Sequence, residues 1–277
     1  MLGEISATRG SGTPKTAERP PQIPGSLKFI TWYTNGLDFS NRLPRTRAVC
    51  SAIRSADPDV VFLQEVVLQW DLVLREAFED YTCVRKFSAN NFTFTMLKRA
   101  TTKFEGYKRR RLATNNWVKC EVATIEASFA GLPITLVNAR LEPDPDKSKL
   151  RKHQLSKCFK ACLEQPPNRT VIFGGNLGLR GHELNDVGGR PRSLVDVWEH
   201  CGRRREACYT WDMTVNDNHP WNTRKKPQHR TDRVYVRAAK PATMAPVSFD
   251  LIGMERISPV GCFPSDHWGL LCRFNLL

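Results

Sequence analysis

From residue 26 onward, short apolar runs alternate with amphipathic stretches, and the runs tend to end on polar side chains. Residues 27–32, Leu-Lys-Phe-Ile-Thr-Trp, alternate and are rich in β-formers. The Asn35-Gly36 turn follows, so a strand ends where Tyr33 and Asn35 are displayed. Residues 45–56 set Ala48, Val49, Ala52 and Ile53 at helical spacing until Asp57-Pro58-Asp59 stops them. Residues 60–67 are apolar on both faces apart from Gln64 and Glu65, the pattern of a fully buried strand. A carboxylate inside so apolar a run needs a partner, for which a metal ion is the sharper reading and a surface position at the strand's end the blander one.

The pattern repeats down the chain. Residues 71–78 predict a second helix, 81–85 and 92–97 two strands, and a basic loop follows that includes Lys108, Arg109, Arg110 and Arg111. Residues 117–129 and 133–138 pair as strands about Ala130-Gly131, the second bringing Arg140 and Glu142 to the edge that carries the earlier polar residues. Residues 147–163 form a basic helix with Leu150, Leu155, Cys158, Phe159 and Cys162 toward the core. Residues 170–173 are a short buried strand running into Gly174-Gly175-Asn176-Leu177-Gly178, where paired glycines serve either a close backbone approach to a ligand or a tight turn. Residues 194–199 predict a short helix, 209–212 a strand-like segment, 216–230 a polar, basic surface loop, 234–237 a strand preceded by Asp232-Arg233, and 270–274 a last apolar strand. Strands and helices in alternation, with polar groups at the strand ends, predict a layered α/β sandwich.

Charge and composition narrow the partners. The 277 residues hold 42 Lys+Arg against 28 Asp+Glu, a net +14 best explained by an anionic partner, nucleic acid first among them. No apolar run approaches a membrane span and no lipidation or secretory signal is visible, so no membrane partner is expected. Residues 1–25, polar and rich in Gly, Pro, Ser and Thr, are expected to be a disordered tail ahead of one domain, 26–277. Nine cysteines without a Cys-x-x-Cys pair, most beside apolar residues, predict reduced core thiols in a nuclear or cytosolic protein.

Candidate chemistry gathers in Phe263-Pro264-Ser265-Asp266-His267-Trp268-Gly269-Leu270-Leu271. After Pro264 breaks the chain, Asp266 and His267 stand side by side at the mouth of the last strand. A carboxylate beside an imidazole favours the charged, oriented ring, which donates to a phosphoryl oxygen. An isolated Asp-His pair more often just caps a strand, and the rest of the chain decides between the two. Trp211 has a ring able to stack on a base, although the core is the commoner place for a lone Trp.

Several segments, taken in order, resemble the endonuclease/exonuclease/phosphatase family. They are Ile30-Thr31-Trp32 with Gly36-Leu37-Asp38, Pro58-Asp59-Val60 with Phe62-Leu63-Gln64-Glu65-Val66, Leu141-Glu142, Val171-Ile172-Phe173, Val195-Asp196-Val197-Trp198-Glu199, Tyr209-Thr210-Trp211-Asp212, Asp232-Arg233 and the C-terminal stretch just quoted. The resemblance implies a four-layer α/β sandwich of two packed sheets, with the active site where strand ends of both sheets meet. It implies a phosphodiesterase using Mg2+, with Mn2+ as the alternative ion. The branch it points to removes tyrosine adducts, as left by a trapped topoisomerase 2, from DNA 5′ ends in DNA repair, in the nucleus or, as a second compartment, the cytoplasm.

By the same resemblance Glu65 falls on the metal-binding glutamate and His267 on the catalytic histidine, with Asp266 beside it; Arg140, Trp211 and Trp268 are the candidate substrate contacts. Five positions depart from the family pattern: Tyr33 and Gly178 stand where it has Asn, Asn35 and Asn176 where it has Asp, and Arg140 where it has His. Asn176 cannot take a proton from water, Gly178 removes an amide, Tyr33 adds a bulky ring, and Arg140 adds a fixed positive charge that opposes Mg2+. The expectation is a phosphodiesterase of impaired or lost catalysis, the alternative being an inactive DNA- or partner-binding pseudoenzyme on the same fold.

Overall fold

The computed structural model describes residues 24–85, 91–113, 120–219 and 225–277. The tail expected at 1–25 lies almost wholly outside the described residues, as do Trp117 at the start of an expected strand and residues 220–224 of the expected 216–230 loop.

In chain order the elements are β1 (Ser26–Tyr33), α1 (Arg42–Ala56), β2 (Val60–Val66), α2 (Leu68–Ala77), β3 (Tyr81–Val84), β4 (Phe92–Lys98), β5 (Thr102–Arg111), β6 (Glu121–Phe129) and β7 (Leu132–Arg140). There follow α3 (Ser148–Leu163), β8 (Thr170–Asn176), α4 (Glu183–Asp186), β9 (Val195–Asp196), α5 (Val197–His200), β10 (Trp211–Asp212), β11 (Gln228–His229), β12 (Asp232–Arg237), β13 (Met244–Ile252) and β14 (Gly269–Leu276). They build two six-stranded sheets, ordered β13-β14-β1-β2-β4-β3 and β5-β6-β7-β8-β12-β9, with β10 and β11 paired apart from them.

Period-two alternation sets the layers. On β1, Leu27 and Phe29 join the cluster between the sheets, while Ile30 and Trp32 join the one that includes Val49 and Ile53 of α1 and Leu74 of α2. A third cluster packs Leu155 and Phe159 of α3 on Val171 and Phe173 of β8. The layers therefore run helix, sheet, sheet, helix, the four-layer sandwich expected from the sequence. Among the described residues, no helix is long and apolar enough to cross a membrane. All nine cysteines are free thiols, with Cys50, Cys120, Cys158, Cys162 and Cys272 buried.

Besides the short α4 and β11, which the sequence reading did not expect, three regions differ from it. Lys108, Arg109, Arg110 and Arg111 are not a loop; they end β5, an edge strand on which Thr102 alone is buried, so no apolar alternation marks it. The nine-residue β13, unread in the sequence, is broken in pattern by Pro246 and Asp250, and a bulge between Pro246 and Ser248 absorbs the proline at the sheet's edge. The helix expected at 194–199 splits into β9 and the single turn α5, because the Asp196 carboxylate caps the N–H groups of Trp198 and Glu199.

Each sheet holds a parallel pair, β1 with β2 and β7 with β8, joined through α1 and α3 respectively. Parallel strands present their C-terminal ends together, where open α/β sheets bind ligands. Tyr33, Glu65, Arg140 and Asn176 stand at or next to those ends, with Asp232 at the start of β12 opposite Asn176 and His267 just before β14. Behind them Gln64 Nε2 donates to Asn138 Oδ1 at 2.9 Å and to Thr31 Oγ1 at 3.0 Å, a buried polar bridge from one sheet to the other.

Candidate functional site

The register of β2 against β4 slips between Leu63 and Val66, and Glu65, within this bulge, has φ 56°, a left-handed conformation that few non-glycine residues hold. Its carboxylate reaches the opposite sheet. Oε2 pairs with Arg140 Nη2, and Oε1 accepts the Tyr33 hydroxyl at 2.8 Å. The same Nη2 lies 3.4 Å from the Tyr33 oxygen, and the guanidinium carbon lies 5.4 Å from the Tyr33 ring centre. Glu65 is 2% and Arg140 4% exposed, so each charge depends on the other. Burial works against the Arg140 charge, but Tyr33 and Glu65 outweigh it and hold the guanidinium above its ordinary basicity. Burial, with the Glu65 and Asp266 carboxylates, keeps the Tyr33 phenol protonated well above its usual range despite Arg140, so Tyr33 is a donor. The partner that a carboxylate in this apolar strand requires is an arginine.

The second half of the site is built around Trp32. Its indole N–H donates to the His267 carbonyl at 2.9 Å, and Gly269 lets the chain lie against the ring, since a β-carbon there would fall 2.7 Å from it. So held, His267 places Nδ1 2.7 Å from Asp232 Oδ2. Asp232 also accepts from Thr210 Oγ1 at 2.6 Å, Thr231 Oγ1 at 3.0 Å and Asn176 Nδ2 at 2.9 Å. Burial lowers the His267 pKa, yet Asp232, then Asp266 and Glu65, raise it further, and the net shift is upward. Burial pushes Asp232 up while His267, Thr210 and Asn176 pull it down to a net lowering. Both shifts favour the imidazolium–carboxylate form of the pair, with Nδ1 engaged and Nε2 left for a ligand.

A cleft of about 260 Å³ opens beside this pair. Tyr33, Trp211 and His267 give it aromatic walls: Tyr33 sits 4.6 Å from the His267 ring centre, and Trp211 stacks 5.7 Å from His229 and 6.2 Å from His267. Arg180, His219 and Asp266 also line it. Arg180 Nε is buried without an acceptor among the described residues, and burial together with Arg151 lowers the Arg180 pKa, so an anion beside it is favoured. Burial and Arg180 lower the His229 pKa, leaving that ring neutral at pH 7. Donors on one wall and flat rings on another suit a phosphoryl group joined to an aromatic or base.

The sequence-derived site residues divide. Tyr33, Asn176, Gly178, Trp211, Asp266 and His267 line the cleft together, with Glu65 and Arg140 behind Tyr33. Asp266 is not the hydrogen-bond partner of His267 as its adjacency led us to expect; it accepts from Ser265 Oγ at 3.3 Å, and Asp232 holds the ring. Trp268 is no substrate contact: it is 2% exposed and packs edge-to-face on Phe263 at 5.1 Å. Arg140 is screened from the cleft by Tyr33 rather than forming its wall. Gly175 has φ 136° and meets backbone, because a β-carbon would overlap the Ala139 carbonyl; it serves the chain, not a ligand. The sequence reading missed Arg180, His219, His229, Thr210, Thr231 and the role of Asp232. Two signals were present: Asp232 as a polar residue opening an apolar strand, and Arg180 two residues beyond Gly178 in the same loop.

The donor set at Glu65 does not fit the expected Mg2+ or Mn2+. Both carboxylate oxygens are engaged, a fixed cation stands against them, and among the described residues no three His, Cys, Asp or Glu side chains form a group able to hold a metal ion.

Residues 30–267 match the profile of the Endonuclease/Exonuclease/phosphatase family. A Gallus gallus protein named tyrosyl-DNA phosphodiesterase 2 is 36% identical over 253 residues, covering 91% of this chain and 68% of the relative. Its Rattus norvegicus namesake is 36% identical over 273 residues, covering 99% and 72%. A crystal structure of D. rerio TDP2 complexed with single strand DNA product superposes with a TM-score of 0.85 at 32% identity, over 91% of this chain and 100% of that one.

Proposed function

The chain belongs to the endonuclease/exonuclease/phosphatase family, and from that premise we propose that it recognises DNA 5′ ends, those carrying a tyrosyl adduct included, while hydrolysing their phosphodiester poorly or not at all. The observation that carries this reading is the His267–Asp232 pair at 2.7 Å on the wall of an aromatic cleft. An oriented imidazolium binds a phosphoryl oxygen whether or not a bond is then cut. Trp211 offers a stacking face, Arg180 a second cation, and the net +14 a long-range attraction for the backbone. The relatives' name, and the DNA held by the D. rerio structure, support the substrate class. Trapped topoisomerase 2 is the proposed source of such ends, and the nucleus the proposed place.

The impairment follows from what would activate water. Asn176 is neutral and its amide N–H is engaged by Asp232, and Glu65 is engaged by Arg140 and Tyr33. Loss of one general base slows a reaction by roughly 100- to 10,000-fold, and groups that act as a unit lose their effect together.

The test is hydrolysis of a 5′-phosphotyrosyl single-stranded oligonucleotide in Mg2+, beside a Glu65→Ala, His267→Ala double variant, with binding followed by fluorescence anisotropy. Expected are turnover no higher than the double variant's and binding that weakens steeply with salt. Turnover lost only in the double variant overturns the impairment, and salt-insensitive or absent binding overturns the DNA reading.

A further inference from the structure

Resting on the reading of the cleft as a DNA-end site, we infer that Arg140 stands in for a divalent metal ion, so that the site takes a phosphorylated end without Mg2+ or Mn2+. Its guanidinium supplies the positive charge at Glu65 permanently, as part of the chain.

Three observations carry this. Glu65 has no free oxygen: Oε2 faces Arg140 and Oε1 faces Tyr33. A divalent ion entering here would have to break both contacts, sit against a fixed cation, and find its remaining ligands where, among the described residues, no three His, Cys, Asp or Glu side chains form a group able to hold it. The arginine is held in place, with Nη2 shared between the Glu65 carboxylate and the Tyr33 hydroxyl and the ring of Tyr33 lying over it. Its Nε and Nη1 are buried with no acceptor among the described residues, so the guanidinium keeps donors unused. Tyr33, which lines the cleft, lies against this charge, and in a low-dielectric wall a charge is felt across one ring. A phosphate beside His267 thus meets a cation at the position where an ion would otherwise be recruited from solution.

The experiment has two arms on the full chain. In the first, Mn2+ is titrated and its free-ion electron paramagnetic resonance signal read. The wild type, Glu65→Gln and Arg140→Lys should leave that signal unchanged, whereas Arg140→His with Tyr33→Asn should remove about one equivalent, an effect abolished by adding Glu65→Gln. Circular dichroism confirms that each variant is folded, and Arg140→Lys keeps the charge should the double variant prove unstable. In the second arm, anisotropy with a 5′-phosphorylated single-stranded oligonucleotide compares EDTA with Mg2+ at matched ionic strength. Wild-type affinity should change by less than about twofold, and the double variant should gain about tenfold with Mg2+. Stoichiometric Mn2+ binding by the wild type that Glu65→Gln removes overturns the inference, as does a folded double variant blind to Mn2+. DNA bound in neither buffer overturns the DNA-end reading, and the Mn2+ arm then decides the role of Arg140 alone.

Discussion

Glu65–Arg140 and Asp232–His267 are both buried carboxylate–cation pairs, and both span from one sheet to the other, yet they end up with opposite characters. Arg140 cannot change protonation, both Glu65 oxygens are engaged, and the Tyr33 ring shuts the pair away from the cleft. His267 can change protonation, uses one nitrogen on Asp232 and stands on the cleft wall, while Asp232 is satisfied by Thr210, Thr231 and Asn176 from behind. Burial and charge type alone therefore do not separate a structural clamp from a binding group. What separates them is whether the cation titrates and whether it stands on the cleft wall.

The contrast breaks first on Glu65→Ala, which leaves Arg140 charged and alone and should cost about 3–5 kcal/mol in urea unfolding. Glu65→Leu with Arg140→Met removes both charges and should cost far less; equal losses would mean that the pair is not the clamp. Asp232→Asn comes next, at about 1.5–3 kcal/mol for a buried charged acceptor.

That variant also sharpens the pH behaviour. His267 is raised above its ordinary value of about 6.5, so its pairing contributes fully below that pH and is lost as pH climbs through the raised value. Asp232 is lowered, so its contribution is full above about 3.9 and lost as pH falls through the lowered value. DNA-end affinity should therefore fall as pH climbs above about 6.5, and Asp232→Asn should move that fall to lower pH in an anisotropy titration; a flat wild-type profile would exclude His267 as the donor. Trp211→Ala should cost about 1–3 kcal/mol of single-strand affinity for one lost stacking partner, with little change in melting temperature.

The smallest effect belongs to Gly178→Asn. At φ 59° asparagine is among the better tolerated side chains, and a β-carbon would meet the Glu142 carbonyl oxygen at an ordinary 3.4 Å, so a melt should shift by less than about 1 kcal/mol. Adding Asn176→Asp brings a second carboxylate against Asp232 in place of a 2.9 Å hydrogen bond. Hydrolysis by that double variant should stay flat until Tyr33→Asn and Arg140→His are added, and an earlier rise would show that residue 176 limits turnover by itself.

Much of the architecture was legible because β1, β2, β7 and β8 are apolar runs whose ends carry polar residues, and Glu65 and His267 stood out against such runs. Edge strands were harder. β5 buries too little to alternate, and β13 carries a proline that a central strand would not accept. Within the site, adjacency misled: Asp266 neighbours His267 in the chain, but Asp232, 35 residues away, reaches the ring. Glu65 and Arg140 each drew notice separately, and nothing in one dimension says that they touch. Trp211 and Trp268 show the same limit, since residue type does not reveal which of two indoles faces solvent.

The Gln64–Asn138 bridge lies directly behind these two pairs, so three polar links tie the sheets together at one end. Like rivets along one seam, they make the gap between the sheets and the width of the cleft a single mechanical quantity. The amides of Leu63 to Val66 and of Gly174 to Asn176, carried by different sheets, should then open together. In native-state hydrogen exchange the two groups would share one opening free energy, and loosening either pair would lower protection in both.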